Sequence, residues 1–206
     1  AVEAVGAGWA VGYGRGHQGF DDGIEFFGGA ADISHIVVTD TQDDAIDIDA
    51  GWQGNGQYIF VKHGTVQTKN DVIVDGVTIP AGSDVFMSNN GFETDGEKNG
   101  GAEYSEAPTS NPTFANVTVI TTDGSSVRDD DPSQAFKFDD AIKSMYYNTL
   151  IVKTDGTNGT NCIEHKSDGE INVDEVSFSN SVMACVNEFK GEQTFVSGNE
   201  PAALTG

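Results

Sequence analysis

Short runs in which apolar and polar residues alternate recur along this chain, each beside a small Gly- or Asp-rich turn: GIEFFGG, AIDIDAG, VFMSNNG, AFKFDDA and CIEHKSD. Their first apolar residues are Ile24, Ile46, Phe86, Phe136 and Ile163. A period of two belongs to strands with one buried face. It turns Ile24, Phe26, Ile46, Ile48, Phe136 and Phe138 inward, and Glu25, Asp47 and Lys137 outward. A second strand follows each first one: ISHIVV (33–38), GQYIFV (56–61), FANVTVI (114–120), YNTLIV (147–152) and EVSFSN (175–180). The compact gaps, 22 residues from Ile24 to Ile46 and 27 from Phe136 to Ile163, match one turn of a solenoid whose units stack on a shared core.

The pattern predicts an all-β chain, a single-stranded parallel β-helix forming one domain over residues 1–206, with loop insertions at 63–85, 89–113 and 121–134. The first insertion reads as a β-hairpin around Asp75-Gly76 and Pro80. The second is polar and Gly-rich without periodicity, and the third is acidic. GYGRG near the start reads as turn glycines, and the closing VSGNEPAALTG as a tail or cap without strand pattern. Val2 lies 22 residues before Ile24, and VEAVGA fits the strand slot of IEFFGG. The chain is therefore expected to begin inside a coil, as a mature or cleaved part of a longer one. Coil ends expose unpaired strand edges, which makes self-association through them a candidate.

Composition narrows the partners. Ten basic residues face 33 acidic ones, a net charge of −23. Such a field repels phosphate backbones and anionic lipid, so nucleic-acid and membrane-surface binding are excluded as expectations; no apolar run reaches the length of a membrane span. Divalent cations are favoured. Cys162 and Cys185 lie 23 residues apart, each immediately before a strand start at Ile163 or Val186. Equivalent positions on neighbouring coils are about 4.8 Å apart, within reach of a disulfide, and a disulfide implies an oxidising, extracytoplasmic setting.

The densest chemistry is the acidic turn before each strand. Asp21 and Asp22 precede GIEF, Asp43 and Asp44 precede AIDI, and Asp84 precedes VFMS. One-coil spacing stacks Asp21 on Asp43 and Asp22 on Asp44, with Glu3, Glu25 and Asp47 in a second outward ladder. Stacked carboxylates repel unless a cation sits between them, and Ca²⁺ takes six to eight such oxygens. Asp21, Asp22, Asp43 and Asp44 are the expected Ca²⁺ ligands; the alternative is that they only cap turns.

On these residues the chain resembles the right-handed parallel β-helix, or pectin-lyase-like, superfamily. DDGIEFFGG followed by DDAIDIDAGWQGNGQYIFV is similar to a group of secreted or lipoprotein-like bacterial β-helix proteins without an established activity. It also resembles the polygalacturonases, in which an Asp, an Asp-Asp pair one coil later, a Gly-His-Gly turn and an Arg-x-Lys motif act together. The resemblance maps Asp22, then Asp43 and Asp44, then His63-Gly64 onto the first three. Arg-x-Lys has no counterpart, since the only arginines are Arg15 and Arg128. A lyase would need a basic residue beside Ca²⁺, and Lys137 shares the outward ladder. His17, His35, His63 and His165 lack zinc spacing. Trp52, in the AGWQGN turn, reads as packing or a sugar platform. Asn116-Val-Thr and Asn158-Gly-Thr are glycosylation sequons.

The expectation that follows is a non-catalytic extracellular or cell-surface β-helix, Ca²⁺-stabilised, structural or adhesive, meeting a polysaccharide or extracellular matrix. The alternative is a polysaccharide hydrolase or Ca²⁺-dependent lyase built on Asp22, Asp43, Asp44 and His63.

Overall fold

The structure is a computed structural model. It describes residues 7–19, 21–74, 76–86, 89–96, 108–121, 133–140, 142–153, 161–165, 175–190, 195 and 199–204. The strand-slot reading of residues 2–6, the second sequon, and residues 97–107 and 122–132 of the 89–113 and 121–134 insertions lie outside these residues. Every regular element among the described residues is a strand, so none of them forms a helix long and apolar enough to cross a membrane.

The strands are β1 (Ala7–His17), β2 (Ile24–Phe27), β3 (Ala30–Thr39), β4 (Ile46–Asp49), β5 (Asn55–Lys62), β6 (Thr65–Gln67), β7 (Val72–Val74), β8 (Val77–Ile79), β9 (Asp84–Phe86), β10 (Asn90–Asp95), β11 (Thr113–Ile120), β12 (Gln134–Asp139), β13 (Lys143–Lys153), β14 (Ile163–His165), β15 (Glu175–Ser179), β16 (Val182–Cys185), β17 (Phe189–Lys190) and β18 (Ala202–Ala203). Alternate strands pair in parallel into two stacks. Sheet A runs β2-β4-β10-β12-β14-β17, and sheet B runs β1-β3-β5-β11-β13-β16-β18, with β15 also on β13. Each pass of the chain lays one strand on each sheet, which is the coil of a parallel β-helix.

The coil register holds where the gaps are compact: Ile24 faces Ile46, and Phe136 faces Ile163. It corrects the reading of the third coil. Phe86 belongs to β9, which pairs antiparallel with β6 in the excursion, whose outer part is the β7–β8 hairpin. The coil strand is β10, NGFETD, where Phe92 stacks between Ile46 and Phe136. Residues 90–95 are therefore not loop. GYGRG is likewise strand, inside β1, and the closing segment adds β18 against Val182.

Inside, aromatic rings stack from coil to coil. Phe92 lies on Phe136 with centroids 4.9 Å apart, and Phe114, Tyr146 and Phe178 form a facing column at 5.5 and 4.8 Å. The two columns meet edge to face, as at Phe136 and Tyr146 (5.0 Å, 74°), the geometry that ring quadrupoles favour. Trp52 is fully buried between Phe26 and Phe114, so it is core and offers no sugar platform. Gly56 makes room for this packing, because a Cβ there would lie only 2.2 Å from Phe114 Cδ1.

The long strands β1, β3, β5, β11 and β13 of sheet B each bend at one residue with positive φ, Tyr13, His35, Tyr58, Asn116 and Asn148, and Asn180 takes the same conformation between β15 and β16. The first three stack as an exposed column, with centroids 4.5 and 4.8 Å apart. Asn148 Nδ2 then donates to Asn116 Oδ1 at 2.6 Å, so the first sequon's Asn is held in a ladder. Polar side chains that bond to their own backbone tolerate the left-handed region best.

Cys162 and Cys185 form a disulfide with Cα atoms 6.2 Å apart. They are not equivalent coil positions, as the spacing suggested. Cys162 precedes β14 in sheet A and donates its N–H to Asn187 O, whereas Cys185 ends β16 in sheet B opposite Lys153. The bridge therefore closes one whole coil on itself. Closing a loop of that length restricts the unfolded chain by about 3 kcal/mol. Replacing both cysteines with alanine is expected to lower unfolding free energy by about that amount, read as a lower urea midpoint.

Candidate functional site

Two rows of sheet A carry the acidic residues, one in the turns just before the strands and one on the strands themselves, and their side chains meet at Asp22 and Asp44. Asp22, Asp44, Asn90, Gln134 and Asn161 share the parity of the inward-facing Ile24, Ile46 and Phe92. They form a chain of caps. Asp22 Oδ1 accepts the Asp44 N–H (3.0 Å), Asp44 Oδ1 the Asn90 N–H (2.6 Å), Asn90 Oδ1 the Gln134 N–H (3.3 Å), and Gln134 Oε1 the Asn161 N–H (3.1 Å). Asp44 is 2% exposed and Asp22 8%.

The outward row is Glu25, Asp47, Glu93, Lys137 and Glu164, in register across β2, β4, β10, β12 and β14. Parallel in-register pairing spaces its members at about 4.8 Å, where two like charges repel by about 3 kcal/mol at an effective dielectric near 20. Lys137 relieves one rung by an ion pair and hydrogen bond with Glu93. Burial alone would lower its ammonium pKa; Glu93 outweighs that and holds the pKa above its ordinary value. Beyond this row stand Asp95 and Asp139, paired across β10 and β12.

Electrostatics follow from this crowding. Burial, then Glu93 and Asp22, push the Asp47 carboxyl up to about 9. Burial, then Glu93 and Asp139, push Asp95 up to about 8. Burial, then Asp43 and Glu25, push Asp22 up to about 7, although the Asp44 N–H pulls it down. Asp44 is raised strongly, by burial first and Glu93 next.

Asp22 joins two carboxylate triads. Its ligand atoms and those of Asp21 and Asp43 lie within 4.8 Å of one another, as do those of Asp22, Glu25 and Asp47. Carboxylate-only donor sets suit hard cations such as Ca²⁺ or Mg²⁺, with water completing the shell, and not thiophilic metals. Of the four expected ligands the structure brings together Asp21, Asp22 and Asp43; Asp44 caps the next coil, and Glu25 and Asp47 form a second group around Asp22. His63 stands elsewhere, 1% exposed at the end of β5, with Nε2 3.4 Å from Thr41 Oγ1. Burial, then the Lys153 charge, lower it to about 3. Asp84 is in the excursion strand β9. Glu93 and Asp95 went unrecognised in the sequence because NGFETD was read as loop; aligning Asn90 with Asp44 would have exposed them.

Residues 1–204 match the family model described as a pectate-lyase-like β-helix domain, so the chain belongs to that family. No curated protein and no solved structure matches it.

Proposed function

We propose that this member of the pectate-lyase-like β-helix family is a non-catalytic, extracellular or cell-surface protein. Its sheet A face holds Ca²⁺ and through it meets an acidic polysaccharide or matrix. The observation that carries this reading is the double convergence on Asp22, which joins two carboxylate triads with oxygens inside 4.8 Å. A cation there offsets the repulsion of the ladder and offers open coordination positions to carboxylate or hydroxyl groups of a glycan. The disulfide, which persists in oxidising compartments, supports the setting. Asp22→Asn removes one charge from both triads while keeping an acceptor oxygen for the Asp44 N–H. Calorimetric titration with Ca²⁺ is expected to give saturable binding that this variant weakens about tenfold or more, one 1.4 kcal/mol step. Absence of heat and of any melting shift on adding Ca²⁺ would sink the reading.

A second reading has its own observation. Asp47, held protonated near neutrality, lies within 4.8 Å of Asp22 and Glu25, near the acid-to-nucleophile spacing of about 5 Å in retaining glycoside hydrolysis. New reducing ends from a panel of polysaccharides, lost in Asp47→Asn, would favour it over pure binding. Lyase chemistry has less support, because Lys137 is engaged with Glu93 and kept charged.

A further inference from the structure

Past the bends, the outer face of sheet B is poor in acidic side chains in a way that a chain of charge −23 does not explain. Beyond the bends, the outward residues read Arg15, Val37, Phe60, Thr118, Leu150 and Val182 from β1 to β16. The next outward row, from His17 and Thr39 to Ala184, adds only Lys62 as a lysine, arginine or carboxylate. Neither row contains an Asp or Glu, although acids outnumber bases 33 to 10. Of the exposed large apolar side chains of the described residues, Val37 and Leu150 lie in these rows, and Tyr13, Tyr58, Met145 and Tyr147 lie at or just before the bends of the same sheet; Ile73, Val77, Val186 and Leu204 lie off it. A contiguous apolar strip of this kind marks an interaction surface.

We propose that a second copy of this chain covers the strip, face to face, about a two-fold axis on β11. Sheet B has seven strands in its main order and β11 is the fourth, so a half-turn about it superposes the strip on itself in reverse. Phe60 of β5 then meets Leu150 of β13, Val37 of β3 meets Val182 of β16, and Thr118 meets its own copy. Charge fixes the direction. Arg15 sits at the β1 end, while Glu200 is exposed just before β18; the half-turn brings the cation of one copy to the acidic end of the other. Elsewhere two copies of charge −23 repel, which leaves this strip as the surface where they can approach. Seven strands at about 4.8 Å span about 29 Å; with a width near 14 Å the strip covers about 400 Å² per copy. Over both copies that is about 800 Å², below the standard interface size and in the range of weak, transient contacts, so the pair dissociates on dilution. Salt strengthens it by screening the net repulsion. The proposal is independent of the cation site on sheet A.

Sedimentation of the full chain across concentration, at low and high salt, tests it. A monomer–dimer equilibrium that tightens with salt is expected. Leu150→Glu should weaken it about tenfold or more with an unchanged melting temperature, since the side chain points outward. A short bismaleimide should link Thr118→Cys into dimers and leave Arg15→Cys unlinked to itself. A monomer under every condition, a dimer indifferent to Leu150→Glu, or self-linking of Arg15→Cys in place of Thr118→Cys would overturn the proposal; the last outcome is end-to-end association of coils.

Discussion

In the presence of a chelator, the melting temperature is highest near pH 4 and falls by about 10 °C as the pH is raised to 9. The cause is the carboxyl cluster of sheet A. Asp22, Asp95 and Asp47 have folded pKa values of about 7, 8 and 9 against an ordinary value of 3.8. The folded state therefore binds more protons than the unfolded state between about pH 4 and these values. Stability contributed by the protonated groups is complete below pH 4 and is lost as the pH rises through 7 to 9. His63 works the other way on the acid side. Its folded pKa of about 3 lies below the ordinary 6.5, so its contribution is present above 6.5 and disappears as the pH falls toward 3. Three carboxyls outweigh one imidazole above about pH 4, so the maximum lies near pH 4, close to the unfolded carboxyl value. Because the carboxyls titrate as a coupled set, their sum is on the order of a few kcal/mol, which for a chain of this size is about 10 °C. Ca²⁺ added at pH 8 should recover most of the loss, and at pH 5 very little. Thermal melts at three pH values with and without the ion decide it; a midpoint that rises from pH 5 to pH 9 in chelator would contradict the assignment.

Phe136→Ala is the most damaging single substitution expected. Phe136 is fully buried, stacks on Phe92, and meets Tyr146 and Phe178 edge to face at 5.0 and 5.4 Å. Truncation leaves a cavity among rings that cannot close over it, at a cost of about 3–5 kcal/mol. Phe136→Leu keeps most of the volume and should cost less than half as much. Urea unfolding would report both as lower midpoints. A changed slope in the alanine variant would mean that coils on one side of the gap unfold separately, as weakly coupled repeats do.

The coil architecture was legible because Ile24, Ile46, Phe136 and Ile163 carry the period of two and the one-coil spacing together. It failed at the third coil for a physical reason. In NGFETD the inward positions around Phe92 are filled by Asn90 and Thr94, both fully buried, so hydrophobicity alone gave no strand there. The excursion strand at Phe86 supplied a better apolar signal in the wrong place. The cysteine pair was found from its spacing, but the spacing hid that a single coil was being closed. At the acidic turns, stacking of Asp22 and Asp44 was readable, and so was their parity with Ile24 and Ile46. Parity did not decide their surroundings: both precede their strands and cap the next coil, yet Asp22 lies with Glu25 and Asp47, and Asp44 lies beside Glu93. Crowding and burial, which shift the carboxyl pKa values, depend on neighbours from three coils and have no trace in any one segment.

The cap chain from Asp22 to Asn161 has a direction. At each rung a side-chain oxygen from an earlier coil accepts an N–H from a later one. A ribosome delivers the coils in that same order, so every acceptor is already in place when its donor emerges. Growth of the solenoid can therefore proceed like a zipper closed from one end, each finished turn setting the register of the next before the rest of the chain exists.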